Sequence, residues 1–244
     1  SELVEHDIAA RLGVSDSAVH RYLEGDASVF ERWKIGKKKL SQYTAEEILE
    51  LARGGNVLIR GWGAVAVLRH VPCILRVRVC APMPFRERVM MERLGLKDPG
   101  RARQEIEHND AAHAHIMRGF FGVNWENALL YHVVLNTGSL SVDTCVRTLR
   151  LLAEDEDYQE NETTRTILAD QLVRSRVRAA LGSLASGGAA ERELEFTVTE
   201  GMVVLSGAIS AGVDLRGALA RIRKIEGVKD VENHVRRIMR PSSV

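Results

Sequence analysis

The chain has 244 residues, of which 45% are hydrophobic and 27% charged, a balance that is typical of a folded globular protein and excludes a disordered chain. The formal net charge of +1 gives no general attraction to nucleic acid or anionic lipid, so such a partner would need a local basic patch. No apolar run reaches the ~20 residues of a membrane-spanning helix.

The three cysteines, Cys73, Cys80 and Cys145, are odd in number and widely spaced. This pattern favours reduced, buried thiols over a disulfide framework or a zinc site. The sequence also shows no basic segment followed by an apolar leader. These features together predict a cytoplasmic protein.

The first predicted element is a helix, a tight turn and a second helix over Glu2–Glu24. Gly13 ends the first helix and Ser15 caps the second. Ala9, Gly13 and Val19 also fall at the offsets of DNA-binding helix-turn-helix units. Any two packed helices require the same residue types, so a packing hairpin is the favoured interpretation and DNA binding the alternative.

The next segment contains a run of three lysines at 37–39, which is typical of a solvated loop and could alternatively contact phosphates. Thr44 and Glu47 form a capping box, which predicts a helix starting at Thr44 and running through Ala52. The pair Gly54-Gly55 is expected to end that helix.

Three apolar runs predict strands at Asn56–Arg60, Cys73–Cys80 and Tyr131–Thr137. A helix-like segment between the first two predicts that they are parallel neighbours in a layered α/β sheet. Gly61 and Gly63 allow a sharp turn after the first strand. Because ligands bind beyond the carboxyl ends of such strands, a pocket is expected to begin near Gly61, unless Trp62 closes it.

Helices are predicted from Pro84 to Leu94, from Asp98 to about Arg118, and from Ser141 to about Ala153. The middle helix carries three histidines, His108, His113 and His115. No two of them have the i, i+4 spacing that best places zinc ligands on a helix, so no metal site is expected.

The acidic stretch 154–163 predicts a linker or a solvated helix end, and its charge is expected to keep it hydrated and extended. An amphipathic helix is expected at Ile167–Leu181, followed by a Ser/Gly/Ala loop at 183–190. Two strands, 194–201 and 202–207, form a hairpin that turns at Glu200-Gly201. A helix at 215–225 and a last strand at 228–238 complete the sequence.

The first 153 residues resemble the cytidylate kinase-like family, a branch of the nucleoside monophosphate kinase fold. The resemblance is carried, in order, by Leu12-Gly-Val-Ser15, Gly55-Asn-Val-Leu-Ile-Arg-Gly-Trp-Gly-Ala64, Val79-Cys-Ala-Pro82 leading into Arg86, Phe120-Phe-Gly-Val-Asn-Trp125, Leu130-Tyr131 and Asn136-Thr-Gly-Ser-Leu-Ser141. It implies a P-loop kinase-like parallel sheet with helices, N-terminally incomplete, and a nucleotide crevice. The implied nucleotide-binding residues are Arg60, Gly61, Gly63, Arg86 and Arg118.

The sequence departs from the family pattern at three places. The P-loop motif G-x-x-x-x-G-K-[ST], which cradles ATP phosphates, is absent, and the resemblance would place it ahead of Ser1. Relatives read Gly-Arg-Asp where this chain has Gly61-Trp-Gly-Ala64. They also carry arginines after the Asp that corresponds to Asp110, where this chain has Ala111-Ala-His-Ala-His115. Little kinase turnover is expected without these cations.

Residues 164–244 resemble a BON domain, a small α+β interaction module. Val198-Thr-Glu-Gly-Met-Val-Val-Leu-Ser-Gly207, Ile222-Arg-Lys-Ile-Glu-Gly-Val-Lys-Asp-Val231 and Asn233-His-Val235 carry the resemblance. It implies ligand or phospholipid binding without catalysis. The arginines and lysines near this end form either an ordinary charged surface or an anion-binding face.

The favoured function is a non-catalytic nucleotide-sensing or protein-binding adaptor, with a homo-oligomer expected, no catalytic residue and no metal or cofactor of its own. The enzyme alternative is a cytidylate kinase that transfers phosphate from ATP to CMP, with ATP and Mg²⁺ bound by a P-loop ahead of Ser1. DNA binding through Glu2–Glu24 is the third hypothesis, although nucleic acid is the least expected partner.

Overall fold

The structure is a computed structural model, which describes residues 2–24, 37–61, 63–182, 194–210 and 213–238. The chain divides into two compact units. The first comprises Ser1–Ile48 and Leu58–Glu160, and the second comprises Leu49–Val57 and Asn161–Val244. Predictions for residues 30–36, Trp62 and the loop 183–190 lie outside the described residues.

The first unit is a mixed α/β structure in which helices predominate. Its helices are α1 (Glu2–Leu12), α2 (Asp16–Glu24), α3 (Lys37–Arg53), α4 (Ala64–Val67), α5 (Met83–Leu94), α6 (Pro99–Phe121) and α7 (Val142–Ala153), and its strands are β1 (Val77–Cys80) and β2 (Val133–Asn136). Short 3₁₀ turns occur at Ala128–Leu130 and Glu156–Tyr158. The last turn of α3 belongs to the second unit.

Helices α1 and α2 form the predicted packing hairpin. Ile8, Ala9 and Val19 are buried, and α2 packs against α6. Arg11 at the end of α1 donates to Glu46 and Glu47 of α3, at 2.5 and 2.8 Å. The apolar faces of both helices are therefore used in packing, as the favoured interpretation requires.

The predicted start of α3 was wrong. The lysines at 37–39 are helical rather than a loop, and the helix begins at Lys37. Thr44 lies in its interior, 1% exposed, and its hydroxyl donates to the carbonyl of Leu40 at 2.8 Å. Because the Thr44 hydroxyl bonds to the preceding helical turn, Thr44 is an interior residue of the helix and not its N-cap, although Thr44 and Glu47 have the spacing of a capping box.

The predicted strand at 56–60 was also wrong. These residues form no strand, Asn56 has φ 47°, and Leu58 is 89% exposed. No described strand lies beside this segment, so no ladder of hydrogen bonds can hold it extended. The observed sheet of this unit is the parallel pair β1–β2, with Val77 opposite Val133 and Cys80 opposite Asn136. Parallel pairing is thus confirmed, but between the second and third predicted strands.

The helices around this sheet follow the predicted signals closely. Asp98 caps α6 by accepting from Gly100, and Ser141 caps α7 by accepting from Thr144. Gly95 and Gly122 end α5 and α6 in the left-handed conformation. Helix α6 runs one turn beyond the predicted end.

The second unit consists of α8 (Glu162–Gly182), β3 (Leu194–Thr199), β4 (Met202–Ser210), α9 (Leu215–Ile222) and β5 (Asp230–Ile238). Its sheet has the order β3-β4-β5, with β3–β4 antiparallel and β4–β5 parallel. One face of the sheet packs against α8 and α9 in a core that includes Val177, Leu205 and Ile222. The predicted hairpin, helix and last strand are confirmed.

Two polar arrangements hold this unit together. Asp170 of α8 accepts from the backbone N–H groups of Glu200 and Gly201, at 2.7 and 2.9 Å, and so fixes the hairpin turn. Arg176 pairs with Glu50 at the end of α3 and with Glu226, the latter at 3.4 Å. The second arrangement joins α8 to the last turn of α3, which belongs to this unit.

The acidic stretch 154–163 differs from the predicted extended linker. It contains the 3₁₀ turn Glu156–Tyr158, capped by Asp155, and α8 begins at Glu162. Over the described residues, no helix is both long and apolar enough to cross a membrane.

Candidate functional site

The turn at Gly61–Gly63 lies against the end of α6. Both glycines have positive φ, 79° and 72°, which other residues adopt only at a cost. A Cβ placed on Gly63 would come within 2.8 Å of three carbon atoms of the Phe121 ring. This close approach positions the turn beside the helix that carries Arg118, three residues before Phe121.

Arg86 of α5 is engaged in a bidentate ion pair with Asp110 of α6. Its two terminal nitrogens donate to the two carboxylate oxygens, both at 2.7 Å. The hydrogen bonds with Asp110 are the largest cause of a raised pKa for Arg86. Because both terminal nitrogens of the guanidinium are bonded to Asp110, Arg86 holds α5 on α6 in this arrangement.

One face of α6 forms an open groove. It is lined by Ala111, Ala114, His115, Arg118 and Gly119. These positions recur at intervals of three and four residues, so they share one side of the helix. Arg118 is exposed and makes no ion pair with a described residue. Arg118 and His115 supply the polar side chains of this groove.

His113, on the same helix, contacts a different part of the first unit. Its ring packs edge-on against Trp125, with centroids 4.8 Å apart and planes at 74°. Arg78 of β1 covers Trp125 with its guanidinium 4.9 Å from the ring centroid and donates to the carbonyl of Glu126 at 2.8 Å. The Tyr131 hydroxyl donates to the carbonyl of Trp125 at 2.7 Å, and burial raises the pKa of Tyr131. This cluster fixes the loop that follows α6.

Comparison with known families shows which family has this sequence. The sequence profile described as the cytidylate kinase-like family matches residues 1–139. The chain belongs to the cytidylate kinase-like family. Neither the curated proteins nor the solved structures contained a match to it.

The structure brings only some of the predicted site residues of this cytidylate kinase-like chain together. Gly63 lies against Phe121, which is one helical turn from Arg118 on α6. Gly61 begins the loop turn that contains Gly63. Arg60 is exposed at the end of the irregular segment before the turn. Arg86 is paired with Asp110, which is eight residues before Arg118 on α6, or about 12 Å along the helix.

The sequence reasoning missed the groove on α6. The signal that could have found it is the spacing of Ala111, Ala114, His115 and Arg118, which places them on one helical face. No group of three or more metal-binding side chains is found among the described residues. Cys145 is buried, Cys73 and Cys80 are partly buried, and all three are free thiols.

A second polar cluster lies at the start of β2. The amide of Arg76 donates to Nδ1 of His132 at 3.2 Å, and the His132 ring lies 5.4 Å from that of Tyr158. Burial, and then the charge of Arg76, lower the pKa of His132. His132 therefore ties the acidic segment around Tyr158 to the sheet of the first unit.

Proposed function

We propose that this member of the cytidylate kinase-like family is a non-catalytic nucleotide-binding adaptor. The first domain, taken as residues 1–153, binds the phosphate of a nucleotide in the α6 groove. Residues 154–163 connect it to a BON module at 164–244, which binds a partner. The observation that carries the proposal is the bidentate Arg86–Asp110 pair.

The pair supports binding without phosphoryl transfer for an electrostatic reason. Transfer of a phosphoryl group requires several fixed cations, and one arginine at such a site is worth about 10³-fold or more in rate. In the α6 groove Arg118 supplies one permanent charge. One arginine can bind a phosphate oxygen but does not neutralise a transferring group.

The order of elements in the second unit supports the BON assignment. A helix, an antiparallel hairpin, a second helix and a strand parallel to the middle strand follow one another. The outer face of the sheet is partly polar and carries Glu195, Ser206 and His234 in one cross-strand row. The free cysteines support the cytoplasmic location expected from the sequence.

The test is a titration of the 244-residue chain with CMP, CDP, CTP and ATP by isothermal calorimetry. Arg118→Ala is expected to weaken nucleotide binding about tenfold or more, as the loss of a charge-assisted hydrogen bond predicts. Arg101→Ala changes another exposed arginine of α6 outside the groove and serves as the matched control. Equal affinities for the two variants would contradict the proposal.

Family membership favours a second candidate, nucleoside monophosphate kinase activity with CMP and ATP. A coupled assay for ADP formation in the presence of Mg²⁺ separates the two candidates. Turnover that depends on both CMP and ATP would establish the kinase, whereas binding without turnover would support the adaptor. DNA binding by α1 and α2 is tested by titrating labelled duplex at low salt.

A further inference from the structure

Strand β5 has an open edge. It pairs with β4 on one side, and no described strand lies on its other side. The strand is nine residues long, contains no proline and is mostly exposed. An exposed edge of this length is a template for another strand unless it is blocked.

Two backbone N–H groups on this edge are bonded to side chains of nearby residues. The amide of Val231 donates to the side chain of Asp230 at 2.7 Å, and that of Val235 donates to the side chain of Asn233 at 3.1 Å. Because the N–H groups of alternate residues point to opposite sides of a strand, the amides of 231, 233 and 235 face away from β4. A neighbouring strand would replace these bonds with a regular ladder.

The first seven of the nine residues of β5 form a sequence that is complementary to itself when it is reversed. Asp230-Val-Glu-Asn-His-Val-Arg236 reads acid, valine, acid, asparagine, base, valine, base. Two copies aligned antiparallel about Asn233 therefore place Asp230 opposite Arg236 and Glu232 opposite His234, with Val231 opposite Val235. Opposite charges and apolar pairs at directly facing positions stabilise antiparallel strands.

The two faces of the strand agree with this register. Val231 is 6% exposed and lies with Val235 on the face that packs against the helices. Asp230, Glu232, His234 and Arg236 occupy the opposite, exposed face. Glu232 and His234 contact each other at 3.3 Å within the chain, and both are more than half exposed, so they can exchange partners. A register centred on His234 would instead set Val231 against Arg237.

We propose that the second unit forms a symmetric dimer in which β5 pairs antiparallel with β5 of a second copy about Asn233. The three-stranded sheets of the two copies become one six-stranded sheet. The valine pairs join the hydrophobic core of the second unit in one copy to that in the other. The occupant of the edge is another copy of this chain, because the charge order of β5 matches its own reverse. This dimer does not depend on the proposed nucleotide binding.

Sedimentation velocity of the 244-residue chain over a range of concentrations tests the dimer. Asp230→Arg alone, or Arg236→Asp alone, creates two like-charge pairs and is expected to weaken dimerisation about tenfold or more. The double variant Asp230→Arg/Arg236→Asp restores opposite pairs and should dimerise like the natural sequence. An equimolar mixture of the two single variants should form a heterodimer.

These variants change exposed side chains, and circular dichroism verifies that each remains folded. A chain that is monomeric at all concentrations would overturn the proposal. So would a dimer whose affinity is unchanged by the single charge reversals, because its interface would then lie elsewhere.

Cysteine cross-linking tests the register independently. Asn233→Cys places two thiols opposite each other on the symmetry axis, where oxidation should give a covalent dimer. His234→Cys is the matched control, since position 234 faces position 232 of the other copy. Equal cross-linking of both variants, or cross-linking of the control alone, would refute this register.

Discussion

Substitution of Gly63 by alanine is expected to destabilise the first unit strongly. The φ angle of 72° alone costs alanine about 1–2 kcal/mol, since its Cβ meets the following carbonyl in the left-handed region. The new Cβ also lies within 2.8 Å of three carbons of the Phe121 ring, so the ring must move. Overpacking of this kind costs about 1–3 kcal/mol, giving a total of about 2–5 kcal/mol.

The assay is urea denaturation followed by tryptophan fluorescence. Trp125 belongs to the first unit, and the sequence of the second unit contains no tryptophan, so the signal does not report unfolding of the second unit. Gly61→Ala is the matched control, because Gly61 has φ 79° but no atom within 4 Å of an added Cβ. Gly61→Ala should lower the free energy of unfolding only by the cost of the left-handed backbone conformation, about 1–2 kcal/mol.

A double-mutant cycle isolates the contact with the ring. In a Phe121→Ala background the clash is absent, so Gly63→Ala should cost about as little as Gly61→Ala. If Gly63→Ala costs the same with and without the Phe121 ring, the packing of the turn on α6 is not as described.

Three further predictions concern the polar contacts. Arg86→Ala and Asp110→Ala should each lower the free energy of unfolding by about 1 kcal/mol, because the pair is one-third exposed. The double variant should lose little more than either single variant, and fully additive losses would contradict the pairing. The lowered pKa of His132 means that the unfolded chain binds the proton more readily, so the first unit should lose stability as pH falls below about 6.5. His132→Asn should reduce that slope in urea titrations, and an unchanged slope would refute the assignment. Asp170→Ala should lower the free energy of unfolding by about 1–3 kcal/mol because it leaves two turn amides unpaired, and Asp170→Asn should lower it less. In the alanine variant, amide hydrogen exchange at the turn should become faster, and unaltered exchange would contradict this role.

Local signals in the sequence predicted local structure well. Asp98 and Ser141 marked two helix starts, and Glu200-Gly201 marked the hairpin turn, as the structure confirms. Each of these signals acts through hydrogen bonds to residues two to four positions away, or through a residue that tolerates positive φ. The sequence therefore contains nearly all the information that such boundaries need.

Features that depend on distant residues were not predictable in the same way. The apolar run at 56–60 has the composition of a strand, but a strand also requires a neighbour, which composition does not reveal. Arg86 and Asp110 are 24 residues apart, so only the packing of α5 on α6 shows that they pair. The burial of Thr44 likewise depends on elements outside α3.

The Asp170 contact with the hairpin turn has a consequence for the order of folding. Helix α8 and the β3–β4 hairpin are close in the chain, and Asp170 joins them by two bonds at the turn. The parallel β4–β5 pair must wait until the chain has passed through α9, which makes it the less local contact. We expect α8 and the hairpin to form the folding nucleus of the second unit, with β5 joining after the rate-limiting step.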